Sequence, residues 1–377
     1  MAPLNSKLEK AVGMRDIAKR CHVSKATVSR AMQGDPRVRP ETAQRVLAVA
    51  AEMGYDPSQH LAARNLALRK YGHDFQLYHF AMVLGPKFHE TVYFSHILEG
   101  VIEALVPVPC VFATSYIDDP EDEDSLEWLR RVYQEAGMDG YITISPHYVL
   151  PPEITNDAMR KAVVVCTMES VGDYAAVTTD DEQGTYLAVK HLLGIGHRHF
   201  LQFISSHYVQ SQQPRRRQGI ERALREYHLD PATAVHYYPI PHKDWLTPGR
   251  LRDKLSATDN TITEAIPLSQ YLRAHSEITA LLGLNDTNAL WAWYGLQQQG
   301  WHIPEELSIL GFDDTDSMLA PDGRNLLSSI RLPLLEIGRK AGEMLYGIRT
   351  GQLPRDTRIT LPTELVIRHS IQPPRHR

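Results

Sequence analysis

Cysteine is scarce in this chain: Cys21, Cys110 and Cys166 stand far apart in 377 residues. An odd, scattered set builds neither a disulfide framework nor a clustered metal site, and it fits a reducing compartment. No run approaches the roughly 18 apolar residues that a membrane span requires. The first dozen residues, MAPLNSKLEKAV, lack the apolar stretch of an export signal. The expectation is therefore a soluble, cytoplasmic protein with no membrane partner. Also missing are a Gly-rich phosphate loop, a G-x-S-x-G elbow and an H-E-x-x-H pair, so neither an enzyme nor a cofactor is expected. The 18 histidines are scattered. In Gly196-His197-Arg198-His199 two of them sit at i, i+2 with no third ligand nearby, and no metal is expected there.

What is present is globular material. A hydrophobic fraction of 43% with 23% charged residues excludes a disordered chain, and 377 residues imply two or three compact units. The net charge of −5 conceals an asymmetry. Residues 1–72 hold 13 Lys plus Arg against 6 Asp plus Glu, a balance of +7, which leaves −12 on the remainder. A basic head on an acidic body concentrates attraction for polyanions at one end.

Met14 to Gly54 is the most informative stretch. Ile17 and Ala18 form the buried side of a short helix whose polar face carries Arg15, Lys19 and Arg20. Ser24 stands where an N-cap belongs, ahead of Lys25 to Met32, in which Val28, Ala31 and Met32 make an apolar stripe. That leaves Lys25, Ala26, Ser29 and Arg30 outward. A third segment after Pro40, with Thr42, Val46, Leu47, Val49, Ala50 and Met53 in helical register, closes a small core. Two short helices joined by a tight turn and braced by a third describe a helix-turn-helix; an ordinary three-helix bundle with a solvated basic face has the same pattern. In the first case Lys25 and Arg30 can donate to guanine edges in the major groove, Ala26 offers a methyl-sized contact, and Ser24, Thr27 and Ser29 suit phosphates.

Asp16-Ile17-Ala18, Val23-Ser24, Thr27-Val28-Ser29-Arg30, Gly34, Val38, Thr42, Arg45-Val46, Gly54-Tyr55 and Pro57 together resemble the head of the lactose-repressor/galactose-repressor (LacI/GalR) family. The resemblance implies that Lys25, Ala26 and Arg30 read bases while Ser24, Thr27 and Ser29 hold the backbone. One position departs: His22 occupies the turn where the family has glycine, and it is expected to adopt φ > 0. After the head, 1–56, comes a linker, 57–76, that is alanine- and leucine-rich and marginal as an isolated helix. The resemblance makes it a hinge helix in the minor groove. Ala63-Arg64-x-Leu66 matches the family's A-R-S-L two residues late, so Leu61 and Leu66 are rival wedges.

From residue 77 to 377, short apolar runs alternate with helical patterns. Strands are expected at Phe80–Leu84, Cys110–Thr114, Gly140–Ile144, Ala162–Cys166, Phe200–Ile204, Thr279–Leu284 and Leu307–Leu310. Helices are expected at Tyr93–Val106, Glu123–Ala136, Ile154–Lys161, Leu187–Leu193, Gln218–Tyr227 and Ala289–Gln299. This is an α/β body of two doubly wound, parallel-sheet subdomains, like periplasmic binding proteins, with a crossover near 178–181 and a return near 328–331. Residues 236–275, rich in proline and polar side chains, fit the alternation poorly.

Ligands of such sheets bind beyond the carboxyl ends of the strands. Tyr93 and Phe94 follow the first strand and could stack on a ring, or could be core. Asp286 follows the strand TALLGL, at the mouth of a cleft or as a helix N-cap. Arg216 starts a helix in R-R-Q-G, offering a fork to hydroxyls or lying in solvent. The resemblance places effector contacts at all four. It reads Val177–Asp180, Gly196-His197-Arg198 and Gly311-Phe312-Asp313-Asp314 as structural. The implied protein is a homodimeric regulator of transcription that binds a near-palindromic DNA operator, with repression the expected sign. Its grip would be modulated by a small molecule, a sugar or sugar derivative, held between the two subdomains. An enzyme or a solute-binding protein on the same clamshell body is the alternative.

Overall fold

The computed structural model describes residues 14–32, 35, 37–53, 55, 77–84, 92–116, 138–144, 163–166, 174–204, 213–240, 262, 265–317 and 319–375. The chain divides into two compact units, Met1–Gln76 and Leu77–Arg377. In the first unit, α1 (Met14–Arg20), α2 (Lys25–Met32) and α3 (Pro40–Glu52) pack around Ile17, Ala18, Cys21, Val28, Ala31, Val46, Ala50 and Tyr55. The core is built largely from small side chains, which lets three short helices approach closely. Pro40 starts α3 with its φ already helical and no N–H left to satisfy.

The second unit holds two six-stranded sheets. The first runs β11-β5-β4-β3-β1-β2 and the second β12-β10-β9-β8-β6-β7. The first uses β1 (Tyr78–Leu84), β2 (Cys110–Tyr116), β3 (Gly140–Thr143), β4 (Val163–Cys166), β5 (Ala175–Thr179) and β11 (Arg358–Leu361). The second uses β6 (Phe200–Ile204), β7 (Val235–Pro239), β8 (Ala280–Leu282), β9 (Ser308–Asp313), β10 (Ser328–Arg331) and β12 (Glu364–Val366). Every ladder is parallel except β10 with β12. All seven positions of β1 and all five of β5 are buried, the state of parallel strands covered on both faces, and this is why Phe80–Leu84 of β1 reads as an unbroken apolar run.

Helices α4 (Val92–Leu105) and α10 (Leu334–Thr350) pack against each other, with α10 lying on β3, β4 and β5. On the second sheet, α5 (Asp181–Gly194) packs on α6 (Gln213–Glu226), and α8 (Ile266–Ala274) on α9 (Asp286–Gln298). The short α7 (Pro231–Ala234) leads into β7. Because α10 follows β10 of the second sheet, and β11 and β12 are adjacent in the chain, the backbone passes between the two subdomains after β5, after β10 and between β11 and β12.

Two regions differ most from what the pattern implies, while β5, β10, β11, β12 and α7 also went unassigned from sequence. The segment 236–275 contains most of an edge strand and a helix: after the buried Val235, β7 alternates half-buried and exposed positions and ends on Pro239, which an edge tolerates and a central strand does not. Residues 334–350, unassigned from sequence, form the longest described helix; Gly338, Gly342 and Gly347 dilute its helical signal, and packing on α4 outweighs propensity. The segments 123–136 and 154–161 lie outside the described residues.

Candidate functional site

Two candidate sites occupy the two units. In the first, α1 ends in a Schellman turn. The Val23 N–H donates to the Ala18 carbonyl at 3.1 Å and the His22 N–H to the Lys19 carbonyl at 3.3 Å. His22 takes φ +51°, the left-handed conformation its position demands. Ser24 Oγ then accepts from the Thr27 N–H at 3.1 Å, the N-cap of α2, and lies 2.9 Å from Thr27 Oγ1. Val28 and Ala31 are buried, so the opposite face of α2 points out: Lys25, Ala26 and Arg30 are exposed, and Thr27 and Ser29 are half-buried beside them. Arg20 clasps Glu52 at 2.7 Å across α1 and α3, an exposed pair that adds little stability but orients the brace. The linker residues Leu61, Ala63, Arg64 and Leu66 lie outside the described residues.

In the second unit, a polar cluster forms where β6, β8 and β9 end. Arg216, in the first turn of α6, is only 7% exposed. Its Nε donates to Asp181 Oδ2 at 2.9 Å and its Nη1 to the Leu284 carbonyl at 2.6 Å, while its guanidinium lies 3.4 Å from the centroid of the Phe312 ring. Asp181 is braced by the Thr179 hydroxyl at 2.6 Å. Gly219 makes this approach possible, since a Cβ there would run into the Glu182 carbonyl oxygen of α5. Arg216 is thus a buried, paired cation and not a solvated one.

Asp286 differs from its sequence reading in two respects. The N-cap of α9 is Asn285, whose Oδ1 accepts from the Asn288 N–H at 2.9 Å. Asp286 itself is fully buried, not at a mouth. Its Oδ1 accepts from Ser329 Oγ at 2.6 Å and its Oδ2 from the Thr315 and Asp316 N–H groups at 2.7 and 3.3 Å. Gly311 leaves room for that carboxylate; a Cβ there would collide with Oδ1. Burial outweighs the three donors and pushes the carboxyl up to about 7.

The turn that Asp286 holds is strained. Asp313 and Asp314 have φ of +97° and +58°, and Arg368 grips Asp314 with two bonds of 2.6 and 3.0 Å while Arg331 adds a third at 2.8 Å. Asp313 lies within the fields of Arg216, Asp286, Asp181 and Asp316; burial raises its carboxyl pKa well above the usual range, with Arg216 opposing. Phe312 and Asp313 belong to a motif read from the sequence as structural, Asp181 directly follows another, Val177–Asp180, and Ser329 was not singled out at all. Their link to Arg216 and Asp286 spans distant segments. At the carboxyl end of β1, Tyr93 and Phe94 sit half-buried on the first turn of α4, ring centroids 4.9 Å apart and 70° inclined, packed against the first sheet's core. They stand beyond the first sheet as Arg216 and Asp286 stand beyond the second. Of the Gly196–His199 motif, His197 is buried with Nδ1 2.7 Å from Thr279 Oγ1 and Nε2 3.0 Å from the Gln372 carbonyl, so both ring nitrogens are engaged. No described helix is long and apolar enough to cross a membrane.

A helix-turn-helix unit joined to two parallel sheets that exchange the chain three times is the architecture of a DNA-binding regulator with a ligand-binding body. Residues 13–58 match the model of the lacI family of bacterial regulatory proteins, and residues 189–371 match the periplasmic binding protein-like domain. Catabolite control protein A of Priestia megaterium is 26% identical over 366 residues, 95% of this chain and 99% of that protein. The ribose operon repressor of Haemophilus influenzae is 27% identical over 365 residues, 95% of this chain and 98% of its own. Among solved structures, a lac repressor dimer bound to operator and the anti-inducer ONPF aligns with a TM-score of 0.60 at 19% identity over 96% of this chain and 99% of that one. The chain belongs to the lacI family of bacterial regulatory proteins.

Proposed function

We propose that the protein is a homodimeric, sequence-specific transcriptional repressor of the cytoplasm whose operator affinity is set by a sugar-class effector. The observation that carries this reading is the exposed face of α2. Lys25, Ala26 and Arg30 project from a helix capped by Ser24 and braced from behind, with Thr27 and Ser29 at its margins. Such a face presents cations to guanine O6 and N7 and hydroxyls to phosphates. One head binds weakly, and two heads held in one dimer gain from effective concentration and demand a near-palindromic site. The linker residues Leu61, Ala63, Arg64 and Leu66 supply the minor-groove contact between them.

The effector is bound by Tyr93 and Phe94 from the first sheet and Arg216 from the second, with Asp286 holding the 313–316 turn in place. Aromatic faces suit the apolar faces of a pyranose or furanose ring, and an arginine fork suits its hydroxyls. The relatives point the same way: one is named a ribose operon repressor, and a regulator called CelR aligns as its cellobiose complex with a TM-score of 0.59 at 21% identity over 95% of this chain and 99% of that one. Coupling between effector and operator sites is typically about 1 to 3 kcal/mol, enough for a several-fold to hundredfold change in occupancy. The body binds its ligand without turning it over. Selection from a random duplex pool tests the reading: the full chain should enrich a near-palindromic sequence, and a screen of sugars by thermal shift should find one that both raises the melting temperature and alters affinity for that sequence. An unselective pool, or chemical turnover of the sugar, contradicts it.

A further inference from the structure

The tract that fits the strand–helix alternation poorly brings three metal-competent side chains together at the N-terminal edge of the second sheet. His236 is the second residue of β7, and His275 and Glu277 lie in the turn between α8 and β8. The His275 N–H donates to the Tyr271 carbonyl and the Ile278 N–H to the His275 carbonyl, both at 3.0 Å. This tight turn folds Glu277 back over the end of α8, so that its Oε1 lies 3.2 Å from His275 Nδ1 and 3.7 Å from His236 Nε2. One ligand atom from each residue falls within 4.8 Å of the other two, the one such group among the described residues.

The surroundings hold the three side chains in this arrangement. Burial and the neighbouring imidazole of His275 hold His236 below the usual histidine range, with Glu277 opposing and His199 adding to the effect. Glu277 is held below the usual carboxylate range by its own backbone N–H and by His275. The His236 and His275 ring centroids are 5.0 Å apart. The other nitrogen of His236, Nδ1, lies 3.2 Å from the Tyr271 hydroxyl, which fixes the ring and leaves Nε2 facing Glu277. An outer-shell partner on the far nitrogen is what a metal-bound histidine commonly has. His199, the remaining imidazole nearby, turns its Nδ1 to the Thr233 carbonyl at 3.3 Å.

We propose that His236, His275 and Glu277 bind one divalent cation of the zinc class, with Tyr271 as the outer-shell residue that orients His236. Two imidazoles and one carboxylate are a borderline donor set suited to Zn²⁺, leaving a fourth position for water. The cation ties the edge strand β7 to the corner between α8 and β8. It sits at the opposite end of the sheet from Arg216 and Asp286, so it acts on the stability of this edge and not on the effector.

The test is a titration of untagged, chelator-stripped full chain with Zn²⁺ by calorimetry, and with Co²⁺ by visible absorption. One equivalent should bind, Co²⁺ should give the intense band of a four-coordinate site, and Zn²⁺ should raise the melting temperature. His275→Ala and Glu277→Gln should each weaken Zn²⁺ binding at least tenfold, and Tyr271→Phe by about tenfold. Unchanged melting of these variants in chelator establishes that they fold. If His275→Ala does not, Glu277→Gln decides, since it keeps the shape of an exposed side chain. Absence of stoichiometric binding, or equal affinity in wild type and Glu277→Gln, overturns the proposal.

Discussion

The two units solve opposite problems. In the head, the side chains offered to a partner are outside and the small core beneath them does nothing but hold their helix: Lys25, Ala26 and Arg30 are exposed, while Ile17, Val28 and Val46 are fully buried. In the body the candidate ligand-binding groups are themselves part of the interior. Arg216 is paired with Asp181, and Asp286 ties down the turn at 313–316. Function and stability should therefore separate in the head and be entangled in the body.

Arg216→Ala should break that entanglement most visibly. It leaves Asp181 buried without its partner, and losing one member of such a pair costs about 3 to 5 kcal/mol. Urea unfolding should show this loss in the body together with a lost effector response. Arg30→Ala is the converse. Operator affinity should fall by about 1 to 3 kcal/mol with no change in melting temperature. If Arg30→Ala also destabilises the chain, the separation fails for the head.

Asp286 sharpens the comparison through pH. Its native carboxyl keeps its proton up to about 7, whereas an unfolded aspartate releases it near 4. The native state thus binds more protons across that window. This group's contribution to stability is greatest below pH 4, falls by up to about 1.4 kcal/mol per pH unit as pH rises toward 7, and is flat above. Asp286→Asn should flatten that slope in a pH series of denaturant melts and also blunt the effector response. The smallest effect belongs to the head: His22→Gly relieves a left-handed histidine and should stabilise it by about 1 kcal/mol, measured as a shift in thermal midpoint, with operator selectivity unchanged.

The same contrast explains what was legible in sequence. The head is coded locally. The Ser24 cap, the left-handed His22 and the stripe of Val28, Ala31 and Met32 all act within a few residues, so spacing alone indicated which face of α2 turns outward. Seven of the body's twelve described strands were legible because buried parallel strands are largely apolar; β5, β7, β10, β11 and β12 carry polar residues or lie at sheet edges and were not assigned. Its site was legible only as isolated positions. Arg216 reaches Asp181 across 35 residues and Asp286 reaches Ser329 across 43, and no period in the sequence encodes such pairs. Burial reversed the expected setting of Asp286 because neighbours from β9, β10 and their connection close over it. The metal-competent group was missed for a similar reason: His236 and His275 are 39 positions apart and meet only when β7 takes the sheet edge.

The most direct measurement is the affinity of the full chain for the duplex it selects, followed by fluorescence anisotropy across a salt series for wild type and Arg30→Ala. The wild type should bind far more tightly than it binds unrelated duplex, with affinity falling steeply as salt rises, and Arg30→Ala should lose the preference while retaining the weaker, salt-sensitive attraction. Equal affinity of both proteins for both duplexes, or an affinity indifferent to salt, would contradict the assignment of α2 as the reading helix.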